Sequence, residues 1–127
     1  MTTREFIAKA VKGEVKDGKS VSSVFYTHNC IYSYGYHYPL LIKVGTKWVL
    51  NDKGYSATTS KHIAWARPFA DYSVKMITSS DNVKQSANKE LAEVNADIMA
   101  CSIRPSTRKS DLYLRAAMLQ SLIYFLN

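Results

Sequence analysis

Leu40-Leu41-Ile42-Lys43-Val44-Gly45-Thr46-Lys47-Trp48-Val49-Leu50 is the stretch that decides the fold. Two runs rich in β-branched and aromatic residues flank a glycine-containing pair, so the spacing predicts a hairpin with strands over 40–44 and 47–50. Strands surround it. Val21, Val24, Phe25 and Thr27 predict one strand over 21–27, and His28-Asn29 a turn into a second over 30–34. Asn51-Asp52-Lys53-Gly54 reads as a turn, and Tyr55-Ser56-Ala57 as a short strand. The alternation from Tyr72 to Ile77 predicts a last strand.

Helices flank the strands. Thr2 and Glu5 fit a capping box before Phe6, Ile7, Ala10 and Val11, and Gly13 suits a helix end. Thr58 or Thr59 is expected to cap a short helix over 60–66, stopped by Arg67-Pro68. Ala87, Leu91, Val94, Ile98 and Cys101 recur at helical spacing and share one stripe. Arg104-Pro105 breaks that helix, and Ser110 or Asp111 is expected to cap a final one. The last segment, opening on Leu112 and closing on Leu126, is apolar nearly all round, so it is expected to be covered on more than one side. The expected fold class is α+β: one domain over 1–127, with a small antiparallel sheet of four to six strands, an N-terminal helix and two C-terminal helices packed on it.

Composition limits the function classes. The 127 residues fit one domain and bury enough surface to need no disulfide or metal staple. No apolar run reaches the ~18 residues that span a bilayer. Met1-Thr2-Thr3-Arg4-Glu5 lacks the apolar core of a signal peptide, so a cytoplasmic protein without a membrane partner is expected. The two cysteines, Cys30 and Cys101, then read as small hydrophobes, and no ligand spacing predicts a metal or other cofactor. Seventeen Lys and Arg face ten Asp and Glu. That excess attracts polyanions, which makes nucleic acid or an acidic protein surface the expected partner, although solubility alone also explains it. Acidic bias is confined to 79–103, while basic excess lies in the N-terminal third and at Arg104, Arg108, Lys109 and Arg115.

Four features carry candidate chemistry. If 32–38 is one strand, Tyr32, Tyr34, Tyr36 and Tyr38 line one face and His37 faces the other. Such a row serves as a stacking platform for single-stranded nucleic acid, as a protein-binding surface, or as a sheet face under helices. Thr58, Thr59, Ser60, Lys61 and His62 sit at a predicted helix N-terminus, where amides and dipole favour a phosphate; helix capping is the simpler explanation for some of the hydroxyls. His37 and His62, with Lys61 beside the latter, would form the acid–base pair of a metal-independent ribonuclease or phosphodiesterase if the hairpin brought them together. Arg104, Arg108 and Lys109 make a basic loop suited to phosphate contacts, or simply to solvent. The apolar run over 112–126 suggests a homodimer if the monomer cannot cover it.

The order Tyr32-Ser33-Tyr34-Gly35-Tyr36-His37-Tyr38-Pro39-Leu40, then Trp48-Val49-Leu50-Asn51, then Tyr55-Ser56-Ala57-Thr58-Thr59-Ser60-Lys61-His62, resembles a short module of small phage and mobile-element proteins. The resemblance brings no activity with it. It implies a setting, an accessory protein in a bacterial host's cytoplasm. By analogy with other small basic proteins of that setting, the target would be nucleic acid or a host nucleoprotein. Inhibition of host defence, as by anti-CRISPR proteins, falls within that expectation. Non-enzymatic binding is the leading expectation, with Tyr34, Tyr36, His37, Lys61 and His62 in contact and Arg104, Arg108 and Lys109 adding charge.

Overall fold

The computed structural model describes residues 1–33, 38–53, 56–75, 77, 82–100 and 107–127. The hairpin is formed as expected. β4 (Pro39–Val44) and β5 (Lys47–Asn51) pair antiparallel with Val44 opposite Lys47. Gly45 takes φ +60, the backbone that the first loop position of a type II′ turn requires. At His28-Asn29 both residues have positive φ, the signature of a type I′ turn, and join β2 (Val24–Thr27) to β3 (Cys30–Ser33). Asp17 holds this turn by accepting from the His28 amide at 2.7 Å.

The strand expected over 21–27 is in fact two. β1 (Ser20–Val21) folds back on β2 with Val21 opposite Val24, and Ser22 turns the chain at φ +56. Six strands form one sheet in sequence order, β1 to β6, with β6 at Tyr72–Val74. The sheet is mixed, where an antiparallel one was expected: β6 runs parallel to β5, with Val49 opposite Tyr72. The helical crossover between them, α2 (Ala57–Ala66) with a 3₁₀ turn at Arg67–Phe69, carries the chain back to the starting end of β5. Asp71 locks that return, its carboxylate accepting from the Trp48 amide at 2.8 Å.

α1 (Thr3–Val11) starts at Thr2, whose hydroxyl accepts from the Glu5 amide, and ends in a Schellman motif. There the Gly13 amide donates to Ala10 and the Glu14 amide to Lys9, with Gly13 at φ +79. α3 (Val83–Ala100) and α4 (Thr107–Leu126) complete the chain. The start of α4 differs from expectation: it lies at Thr107, ahead of Ser110 and Asp111, and Cys101 lies outside the described residues.

Helices cover both faces of the sheet. On one face Phe6, Ile7 and Ala10 of α1 and Ile63 and Ala66 of α2 pack with Val24, Ile31, Leu41, Trp48 and Leu50. On the other, Val83, Ala87 and Val94 of α3 and Ala116, Leu119 and Leu122 of α4 pack with Cys30, Ile42, Val49 and Val74. The alternation Trp48, Val49, Leu50 sends neighbours to opposite cores, as the period of two demands. A register shift between Ile31 and Tyr32 leaves Leu40 as an extra residue on β4. That bulge lets Leu40 join Leu41 in the α1/α2 core.

Candidate nucleic-acid interface

The module at the start of α2 is built by Ser56. Its extended backbone and hydroxyl cap the helix, accepting from the Thr59 amide at 3.2 Å. The cap therefore lies ahead of Thr58 and Thr59, and Ser56 and Ala57 belong to a helix start instead of a strand. Capping sets which residues face solvent. Thr58, Ser60 and Lys61 are exposed, while Thr59 and His62, facing inward with Ile63 and Ala66, are buried.

His62 is 3% exposed, and its Nδ1 is 2.7 Å from the Ser33 hydroxyl on β3. Its ring lies tilted against Trp65, centroids 5.8 Å apart. Burial pushes the imidazole pKa below its ordinary value, which favours the neutral ring. A neutral, buried histidine bonded to a serine ties α2 to the sheet. That placement gives no support to His62 as a solvent-reachable acid or base. His37, its proposed partner, lies outside the described residues, as do Tyr34, Tyr36 and Arg104.

The run over 32–38 is not one strand. β3 ends at Ser33, β4 starts at Pro39, and the Ser33 amide donates to the Tyr38 carbonyl at 2.9 Å across antiparallel strands. Tyr32 and Tyr38 therefore part. Tyr32 stacks on Phe25, centroids 5.1 Å apart, and packs toward the α3/α4 core. Tyr38 packs on the α1/α2 core, where its hydroxyl meets the carbonyls of Asn51 (3.1 Å) and Lys53. Desolvation, then the nearby Asp52 charge, push its pKa up to about 12. Arg108 and Lys109 stand in the first turn of α4, Arg108 exposed and Lys109 half-buried.

A polar cluster missed in the sequence sits at the β6 edge. Glu90, 6% exposed, occupies the buried stripe of α3 between Ala87 and Val94. Its carboxylate accepts from the Lys75 amide at 2.8 Å, and from Arg115 Nε at 2.6 Å and Nη2 at 3.0 Å. Arg115 also donates to Ser73 at 2.6 Å and approaches Asp52 to 3.5 Å. This cluster caps an edge strand and clamps α3 and α4 to it. Spacing offered a faint signal: Glu90 lies at helical register with Ala87 and Val94.

Four carboxylates, Asp17, Asp52, Asp71 and Glu90, are thus engaged by amides or arginines of the fold. No protein-family model, curated protein or solved structure matches the chain. Among the described residues, no three His, Cys, Asp or Glu stand close enough to hold a metal ion. No helix among them is long and apolar enough to cross a membrane.

The charge carried by the helices differs between the two layers. α1 and α2 with their C-caps carry Arg4, Lys9, Lys12, Lys61 and Arg67 against Glu5, all exposed. Lys43, opposite Trp48 in the hairpin, projects to the same side of the sheet and is exposed. On the other side, α3 and α4 carry Lys84, Lys89, Arg108, Lys109 and Arg115 against Glu90, Glu93, Asp97 and Asp111. The α1/α2 layer is therefore a cationic surface, with the Thr58 and Ser60 hydroxyls beside Lys61. Such a surface can neutralise phosphates and donate hydrogen bonds to them.

Proposed function

We propose that this protein is a non-enzymatic nucleic-acid-binding protein that takes the phosphate backbone on its α1/α2 layer. One observation carries the reading: the helices of that layer with their C-caps carry five basic residues against one acidic, while the helices of the opposite layer carry five against four. Lys9, Lys12, Lys43, Lys61 and Arg4 supply charge, and Thr58 and Ser60 supply hydroxyl donors. Among the described residues no base-reading element accompanies them, so the binding expected is tolerant of sequence.

The test is fluorescence anisotropy with labelled single-stranded RNA and DNA and duplex DNA, in EDTA, across a salt series. If four or five phosphates are neutralised, log K falls with log salt at a slope of about −3 to −4.5. Lys61→Glu weakens binding several-fold, and Lys84→Glu on the opposite layer does not. Salt-insensitive binding, or equal losses in both variants, removes the proposal. Cleavage of the RNA probe in EDTA would overturn its non-enzymatic part.

A further inference from the structure

The outward face of α4 is apolar, uncharged and nearly palindromic. Tyr113, Leu114 and Tyr124 are 54%, 70% and 85% exposed, and Phe125 is 37% exposed. Tyr113 and Tyr124 are separated by three turns, as are Leu114 and Phe125, so each pair projects in one direction. Ala117 and Ser121 lie on the line between the pairs, both exposed. Arg115, the one charged residue after Asp111, points inward to Glu90. Large side chains thus flank a small-residue centre, and the pattern reads the same in both chain directions.

We propose that this face closes a two-fold homodimer in which α4 of one copy packs antiparallel on α4 of another. A two-fold axis level with Leu119 sets Ala117 against Ser121 of the second copy, letting the helix backbones approach. The same axis sets Tyr113 against Phe125 and Leu114 against Tyr124. An isologous interface requires this reciprocity, and the sequence of the helix meets it. At ~200 Å² for a large side chain, the four large residues of α4 present on the order of 500 Å² per copy. The small residues and the exposed helix backbone between them add to this, toward the ~800 Å² per partner of a stable interface. Because α4 lies on the sheet face opposite α1 and α2, the dimer leaves both cationic layers outward, whether or not they bind nucleic acid.

Sedimentation equilibrium of the full chain at roughly 100 µM, well above a ~1 µM Kd, tests the proposal. The wild type is expected at twice 14.3 kDa, and Leu114→Glu and Tyr124→Glu at 14.3 kDa with unchanged circular dichroism. Both positions are exposed in the monomer, so neither substitution disturbs a core. Register is read in a Cys101→Ser background. Ala117→Cys mixed with Ser121→Cys oxidises to a disulfide-linked heterodimer faster than either variant alone. A wild type that stays at 14.3 kDa, a dimer indifferent to both glutamates, or cross-linking without preference for the mixed pair would each overturn it.

Discussion

Replacing Arg115 with methionine is expected to destabilise the fold by about 3 kcal/mol. The magnitude follows from what the guanidinium holds. It makes two bonds to Glu90 and one to Ser73, and stands 3.5 Å from Asp52. The Glu90 and Asp52 side chains are 8% and 9% exposed. Methionine fills the stem but leaves the nearly buried Glu90 carboxylate without its cation and Asp52 with only Arg67, 4.0 Å away, which costs ~3–5 kcal/mol. Arg115 itself keeps 21% of its side chain in solvent, so water relieves part of that loss and the lower end applies. Urea unfolding at neutral pH reads the effect: with m of ~2 kcal/mol/M, the midpoint falls by about 1.5 M. Glu90→Gln keeps an acceptor for the Lys75 amide and removes one buried charge. The double variant Arg115→Met/Glu90→Gln is therefore more stable than Arg115→Met alone, with a coupling of ~1–2 kcal/mol. A loss below about 1 kcal/mol for Arg115→Met would show a solvent-screened surface pair and refute the reasoning.

His62 makes stability pH-dependent. Its pKa is lowered in the fold from ~6.5 in the unfolded chain, so protons favour the unfolded state. The contribution is complete above that value and is lost as pH falls below it toward the lowered pKa; His62→Gln should flatten the unfolding midpoint between pH ~7 and ~5.5, and an unchanged slope counts against the assignment. Burial pushes the Cys30 thiol up to about 12, so in a Cys101→Ser background native protein should resist a thiol reagent until urea unfolds it. Prompt labelling would show that the strand opens locally. Gly45→Ala places a Cβ 3.3 Å from the Phe125 ring at φ +60 and should cost ~1–2 kcal/mol by thermal unfolding, whereas a neutral change would mean the turn relaxes.

What the sequence by itself determined is local. Gly45-Thr46 and His28-Asn29 announce their turns, Thr2 its helix start and Gly13 its helix end, because these signals act through the backbone of a few neighbouring residues. The stripe through Ala87, Leu91, Val94 and Ile98 announces the buried side of α3, because helical period alone sets it. The tertiary structure decided the rest through pairings distant in sequence. β6 pairs parallel with β5 because a helix intervenes, which no property of Tyr72, Ser73 or Val74 declares. Glu90 stays in an apolar stripe because the β6 edge and Arg115, a whole helix away, satisfy its carboxylate. Tyr32 and Tyr38 part because the chain reverses between them. His62, a candidate proton carrier in the sequence, is buried where Ser33, three strands earlier, meets its ring. Turn and helix signals depend on neighbours along the chain, whereas the burial of a polar side chain depends on partners that only folding brings within hydrogen-bond distance.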